Sequence, residues 1–453
     1  MKKLIYIFTS IALVMVFCNK ANAQWKSLIK SDLTNWTQLS GAATFAIKDG
    51  IIIGTTKIGP PYDDSFLCTK ADFDNFILEF DCWVDPSVNS GVNFRSGTAA
   101  NLREGSVYGD QLEIDPTERA WTGGIYDQSR RGWLYTLDIN APAKKAFKNG
   151  VWNHYRLEAI GNSIRTWVNN IPCADLIDDT TQSGFIGLQV HGIGTDLSQV
   201  GKVVKWKNVR IITENVKKYM TPYKPAIRQV SFLTNKLSER ELKEGWKLLW
   251  DGKTTNGWRG AKLNSFPKEG WEIKNGTLNV ITTGGGESED GGDIVTVNKY
   301  KDFELIVDFR YTSGANSGIK YFVNTDLNKG AGSSIGCEYQ ILDDRHHPDA
   351  KEGIAGDRTL AGLYDLISPR KKRDNGIGAW NRATIIVKGD HVEHWLNGQM
   401  TLEYERNTDM WKALVSKSKY NIWPAFGEAR EGNILLQEHG FQVSFRNIKI
   451  KEL

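Results

Sequence analysis

Apolar and polar residues alternate with period two along most of this chain: Phe76 to Trp83, Ile164 to Val168, Phe303 to Phe309, His391 to Leu396 and Phe441 to Ile450 all follow it. That period sends successive side chains to opposite faces of a strand. Lys48-Asp49-Gly50, Asn275-Gly276 and Asn397-Gly398 punctuate the runs with turn chemistry. Sustained helical periodicity is absent. Short strands with one apolar face must bury that face against a second sheet, so the pattern predicts an all-β chain built of antiparallel jelly-roll sandwiches.

The pattern occurs twice, at a spacing of about 227 residues. Asn35-Trp36 recurs as Gly257-Trp258, Phe76-x-Leu78-x-Phe80-Asp81 as Phe303-x-Leu305-x-Val307-Asp308, and Asn89-Ser90-Gly91 as Asn316-Ser317-Gly318. Gly124-x-Tyr126-Asp127 returns as Gly362-x-Tyr364-Asp365, Trp152-Asn153 as Trp380-Asn381, and Leu188-Gln189-x-His191-Gly192 as Leu436-Gln437-x-His439-Gly440. A period this long is a domain, not a solenoid unit, so each copy needs its own core. The expected division is a leader at 1–23, a first sandwich at 24–213, a linker at 214–240 and a second sandwich at 241–453. Thr221 to Pro225 reads as extended linker, and Ser238-Glu239-Arg240-Glu241 has capping-box spacing that predicts a short helix before Trp246.

Lys2 and Lys3, the apolar run Leu4 to Phe17 and the small-x-small Ala21-Asn22-Ala23 form a secretory signal, with cleavage after Ala23 leaving Gln24 first. Cys18 follows Phe17, a poor context for lipidation. No later stretch approaches the roughly 20 apolar residues that span a bilayer, so the mature chain is expected in the periplasm or outside the cell. The 57 basic and 53 acidic residues lose Lys2, Lys3 and Lys20 with the leader, which leaves no basic footprint for nucleic acid. Cys68, Cys82, Cys173 and Cys337 form no C-x-x-C pair and read as buried thiols, with a Cys68 to Cys82 bridge as the alternative.

Candidate chemistry gathers on one strand per copy. In Tyr108 to Asp115, alternation puts Gln111, Glu113 and Asp115 on one face and Leu112 and Ile114 on the other. Glu338-Tyr339-Gln340-Ile341 does the same with Glu and Gln exchanged. A solvated strand face explains either strand taken alone. Gly-x-Tyr-Asp and Gln-x-His-Gly accompany it in both copies and favour a site. Glu113 and Glu118, with Asp115 between, also fit a retaining glycosidase, although Pro116 interrupts the strand and the second copy has no such triplet. Asp343-Asp344-Arg345-His346-His347-Pro348-Asp349 is rich in carboxylates and imidazoles without a recognised ligand spacing; a polar loop and a hard-metal or base role both remain open. Arg370-Lys371-Lys372-Arg373 reads as a solvated loop. Arg130, Arg131, Trp121, Trp133 and Tyr135 combine guanidinium groups and rings suited to sugars, while Trp152, Trp167, Trp380 and Trp395 in strand patterns read as core.

At these residues a family becomes recognisable. Glu113-Ile114-Asp115-Pro116, Arg119-Ala120-Trp121, Gly123-Gly124-Ile125-Tyr126-Asp127 and Arg130-Arg131-Gly132-Trp133 resemble the 3-keto-disaccharide hydrolase family. So do Trp246 to Lys253, Glu338 to Asp343, His347-Pro348-Asp349-Ala350 and Gly362 to Asp365. The resemblance spans nearly the whole mature chain in two copies. It implies tandem concanavalin A-like (LamG-like) sandwiches and cleavage of 3-keto-glucosides as a 1,2-lyase coupled to a 2-hydroxy-glucal hydratase. A ketone at carbon 3 acidifies the carbon 2 hydrogen, so a base removes it, a cation or donor steadies the enolate, and an acid protonates the leaving oxygen. Glu113 or Asp115 with Arg95, Tyr126 and His191 are the candidates in the first copy. In the second they are Glu338, Asp343, His347, Tyr364 and His439. Gln111, Gln340, Trp121, Trp133, Arg130 and Arg131 are the candidate substrate contacts. The two strand histidines carry a plainer alternative, a hydrogen bond to neighbouring backbone. No organic cofactor is expected, and a divalent metal is left open. A carbohydrate-binding protein without catalysis is the reading from another class.

Overall fold

A computed structural model describes residues 25–60, 63–99, 106–222, 227–284, 286, 291–327 and 334–453; the leader and Tyr223 to Pro225 of the linker lie outside them. The alternating runs are strands, within two residues of the expected ends: Phe76–Val84, Ser163–Val168, Phe303–Tyr311, His391–Leu396 and Val443–Glu452. Asp49-Gly50, Asn275-Gly276 and Asn397-Gly398 all take positive φ, as two-residue hairpin turns require.

Each copy is two facing sheets. In the first, a front sheet runs in the order Gly132–Tyr135, Ile125–Gln128, Val107–Ile114, Ser90–Thr98, Phe185–Val190, Ser65–Thr69, Trp36–Leu39. Its back sheet centres on Asn153–Ile160, Phe76–Val84 and Val203–Ile212. In the second copy the front order is Trp258–Gly260, Ile294–Tyr300, Gly432–Leu436, Asn316–Asn324, Ile335–Leu342, and the back sheet centres on Val443–Glu452, Phe303–Tyr311 and Asn381–Lys388. Separate apolar clusters fill the two sandwiches, one around Phe80, Leu112, Tyr155 and Trp206, the other around Phe303, Tyr339, Ile385 and Phe445. The chain is therefore all-β, a tandem pair of jelly-roll sandwiches with two cores. Among the described residues no helix is long and apolar enough to cross a membrane. The four described cysteines are free and buried, and no bridge joins Cys68 to Cys82.

The segment between the sandwiches is docked to both. Val230–Ser231 adds a short parallel strand beside Ile171–Ile177. Ser238 caps the helix Glu239–Lys243 with the expected capping box. Arg240 of that helix reaches Asp175 of the first copy, and Glu241 pairs with Lys449 of the second. Arg382 holds Asp308 through two nitrogens and donates to Ser231 O at 2.9 Å. Direct contacts join the copies as well: Thr136 Oγ1 donates to Gly398 O at 2.6 Å.

The tryptophans reverse the sequence expectation. Trp152, Trp167, Trp380 and Trp395 are only partly buried. Cations cover three of them, Lys207 over Trp152, Arg165 over Trp167 and Arg446 over Trp380. Strand parity turns Trp167 and Trp395 away from the cores, and Trp152 and Trp380 stand one residue before their strands, at positions of the same outward parity. Trp121, a candidate substrate contact, is buried instead.

Candidate active site

In the first copy, Leu112 and Ile114 point into the core, so their neighbours Gln111 and Glu113 must face the outside of the front sheet. Glu113 stands opposite Gly91, and Gln111 lies between Asn93 and Tyr126 in the adjoining strands. The glycine is required here, because a Cβ on Gly91 would collide with the Gln111 side chain. Asn89 Nδ2 donates to Glu113 Oε1 at 2.7 Å, Gln111 Nε2 donates to Oε2 at 3.0 Å, and Arg119 lies 3.3 Å from Oε1. Burial nevertheless wins and pushes the Glu113 carboxyl above its ordinary value; the Asn89 bond and the Arg119 charge only offset it in part. Burial, then the charges of Glu113 and Asp64, raises the Tyr126 hydroxyl.

Asp64 is the residue that strand patterns missed. It sits just before Ser65–Thr69 and accepts from Gln128 Nε2 (3.1 Å), Gln189 Nε2 (3.0 Å) and the Gly192 amide (2.8 Å). Half-exposed His191 lies 3.8 Å from it, with Nδ1 2.8 Å from Gly192 O. A cavity of about 470 Å³ opens here, lined by Ser40, Asp64, Phe66, Tyr126, Gln128 and His191. Both amide atoms of Asn93, Gln111 Oε1 and Gln189 Oε1 are buried without a hydrogen-bond partner among the described residues. Orphaned polar groups gathered on one strand face mark a surface made for something other than packing.

The second copy repeats the arrangement with one exchange. Tyr339 and Ile341 enter the core, and Glu338 and Gln340 face out. Gln340 stands opposite Gly318, where the first copy has Glu113 opposite Gly91; Glu338 stands opposite Lys320, where the first copy has Gln111 opposite Asn93. Carboxylate and partner have moved together: Lys320 Nζ is 3.8 Å from Glu338 Oε2, and both are buried. The Gln340 amide lies 3.1 Å from Asn316 and 3.2 Å from Glu338. Tyr364 donates its hydroxyl to Asp349 at 2.8 Å, Arg358 bridges Asp349 and Asp365, and Lys419 Nζ stands 4.1 Å above the Tyr364 ring. Burial and the bond to Asp349 hold that phenol protonated. His347 and His439 stand edge to face with ring centres 6.4 Å apart, and burial lowers His347, favouring the neutral ring.

Several expected site residues lie elsewhere. Arg95 shares parity with Asn93, but a bulge between Phe94 and Gly97 with φ of 47° at Arg95 turns it inward. There it is fully buried and donates to Asp74 O and Gly161 O. Asp115 accepts from Thr117 and from Arg119 Nε at 2.7 Å, so it positions Arg119. Arg130 and Arg131 pair with Asp127, and Arg131 also with Asp178, so both serve a buried ion cluster behind the sheet. Trp121 and Trp133 pack edge to face at 4.6 Å under the Arg119 guanidinium, and Tyr135 is buried with its hydroxyl on Arg228 O. Glu118 is exposed in the turn after Pro116. Asp343 accepts from the Gly314 and Arg345 amides and contacts His346; these outweigh burial and keep it ionised, the state of a loop brace. Its loop partner Asp349 is engaged with Tyr364 and Arg358. Among the described residues no three His, Cys, Asp or Glu side chains form a metal-sized group.

The glycines opposite the site strands make a sharp test. A Cβ on Gly318 would meet Glu338 Oε1 directly, so Gly318→Ala must displace that carboxylate while leaving both cores untouched. Second-site turnover should fall at least about tenfold, since a misplacement of about 1 Å costs that much or more. Thermal unfolding should shift by only a few degrees. Unchanged turnover would show that the Glu338 carboxylate is not needed where it stands.

The sequence profile of the 3-keto-alpha-glucoside-1,2-lyase-like domain matches residues 24–212 and again 245–451. A 3-keto-disaccharide hydrolase of Bacteroides thetaiotaomicron is 38% identical over 230 residues, 46% of this chain and 79% of that one. A solved structure described as a candidate glycosyl hydrolase, from Parabacteroides distasonis, is 32% identical and covers 49% of this chain and 100% of its own, with a TM-score of 0.44. The carbohydrate-binding module CBM66 of Bacillus subtilis is 16% identical over 41% of this chain and 96% of its own, at a TM-score of 0.26. The chain belongs to the family of 3-keto-alpha-glucoside-1,2-lyase-like domains, of which it carries two tandem copies.

Proposed function

We propose that this chain, a hydrolase-type protein by family, cleaves 3-keto-glycosides by 1,2-elimination followed by hydration. The observation that carries the reading is one buried carboxylate on each front face, with a cation beside it and a phenol one strand or loop away. Glu113 takes the carbon 2 proton; the electron pair forms the carbon 1–carbon 2 double bond as the carbon 1–oxygen bond breaks. Tyr126 donates to the keto oxygen, and His191, steadied near Asp64, protonates the leaving oxygen. Water then adds across the double bond, hydroxyl to carbon 1 and proton to carbon 2, giving the 3-keto-sugar. Glu338, Tyr364 and His439 take the same parts in the second copy. A raised carboxyl pKa suits Glu113 to this task, because a stronger base shares more of the proton in the transition state.

A retaining glycosidase needs two carboxyl groups about 5 Å apart flanking the bond, and Glu118 projects into solvent instead. The experiment is turnover of a 3-keto-glucoside beside its unoxidised parent. Only the keto sugar should be cleaved. Equal cleavage of both would refute elimination, and binding of either without cleavage would favour a glycan-binding role.

Export is part of the same proposal, supported by the charged start, apolar run and Ala21-Asn22-Ala23 of the leader. Sequencing the N-terminus of the cell-derived protein should read from Gln24; an intact Met1, or acyl chains on Cys18, would overturn it.

A further inference from the structure

Arg373 ends the basic run Arg370-Lys371-Lys372-Arg373, which composition alone assigns to a solvated loop. The structure places its guanidinium against the first copy instead. Its Cζ lies 4.4 Å from the Trp121 ring centre and 5.3 Å from that of Trp133, so a side chain of the second sandwich rests on the aromatic pair beside Glu113. Arg119 occupies the same pair at 4.9 Å from each ring and reaches Glu113, while Trp133 packs edge to face against Tyr126 at 5.3 Å.

The loop is built to hold that pose. Asn397 Nδ2 donates to Arg373 O at 2.6 Å, Asp374 accepts from the Tyr311 hydroxyl, and Asn375 is tied to Asn381 and Trp380. Thr136 to Gly398 fixes the neighbouring contact between the copies. The guanidinium itself is left unpaired: Nε is buried without a hydrogen-bond partner, and among the described residues the head group makes no ion pair. Its field is felt by Tyr126 and Glu113, and burial together with Arg119 pushes it down to about 10. Stacking two like charges on one pair of rings, with only Arg119 paired to carboxylates, costs energy unless an anionic or electron-rich group completes the arrangement.

We infer that Arg373 of the second sandwich is a site residue of the first, its guanidinium presented to the oxygen that gains negative charge at carbon 3 of a sugar bound against Glu113 and Tyr126. The inference rests on the proposed elimination for the identity of that oxygen; Arg373's membership in the site rests on geometry alone. The first copy's site is then complete only because the second copy follows it, which gives the duplication a role other than two independent sites.

The test uses the full chain with Glu338→Gln, so that turnover of a 3-keto-glucoside comes from the first copy. There Arg373→Ala should lower kcat about a hundredfold, the size of effect seen when one donor to a developing oxyanion is removed, with a smaller change in KM. Arg373→Lys should recover part of the loss, and Arg370→Ala, at a largely exposed neighbour, should change nothing. Equal kcat for Arg373→Ala and its parent overturns the inference and leaves the proposed reaction standing. If the Glu338→Gln chain does not turn over, binding decides. Tryptophan quenching by methyl 3-keto-glucoside, read in the chain with both Glu113→Gln and Glu338→Gln, should weaken at least tenfold with Arg373→Ala. An unchanged response, or none in either chain, overturns the inference. Failure of the unsubstituted chain to cleave any keto sugar counts against the reaction instead.

Discussion

Replacing Glu113 and Glu338 together by glutamine is expected to lower turnover of a 3-keto-glucoside by about a thousandfold or more, with both sandwiches intact. Glutamine keeps the volume and an oxygen to accept from Asn89, turns an NH2 toward Gln111, whose unpartnered Oε1 can accept it after an amide flip, and removes the charge that accepts the proton. A positioned general base contributes typically about 10²–10⁴ in rate, which sets the scale. The single variants assign the work: an equal loss in one single and in the double means the other copy is silent. The pH profile carries the same signature. A base with a raised pKa is protonated, and idle, at pH values where an ordinary glutamate is already charged. The acid limb of kcat/KM through the first copy should therefore lie above the usual glutamate value of about 4.3, activity falling as pH drops through it. Full activity in the double variant would remove these carboxylates from the mechanism.

Strand parity made much of this legible in advance. Gln111 and Glu113 share a face because Leu112 and Ile114 must be buried, and the exchange of Glu and Gln between the copies is visible in the letters alone. Its meaning is not. Only the register shows that Lys320 replaces Asn93 exactly where Glu338 replaces Gln111, so charge and countercharge moved as a unit. Parity fails where the ladder breaks: the bulge at Phe94–Gly97 turns Arg95 into the interior, and no periodicity predicts a bulge. Asp64 was hidden because it precedes its strand and gains meaning only when Gln128, Gln189 and Gly192 converge on it. Arg373 was hidden for a third reason, since a run of like charges reads as solvated until another domain is packed against it. The tryptophans obeyed parity but not the assumption that a strand ring faces a core; in sheets with a polar outer face, long cations cover such rings instead.

Carbon–hydrogen cleavage is the step that separates elimination from every displacement at carbon 1. The proton removed by Glu113 or Glu338 rests on a carboxyl that exchanges with water, so the proton added to carbon 2 during hydration derives from solvent wherever exchange outruns its return. Turnover of a 3-keto-glucoside in heavy water should therefore give a 3-keto-sugar carrying deuterium at carbon 2, formed faster than any exchange seen without protein or with the Glu113→Gln, Glu338→Gln chain. A product that keeps its original hydrogen at carbon 2 through complete cleavage, together with equal rates for substrates carrying hydrogen or deuterium at that carbon, would contradict the mechanism proposed here.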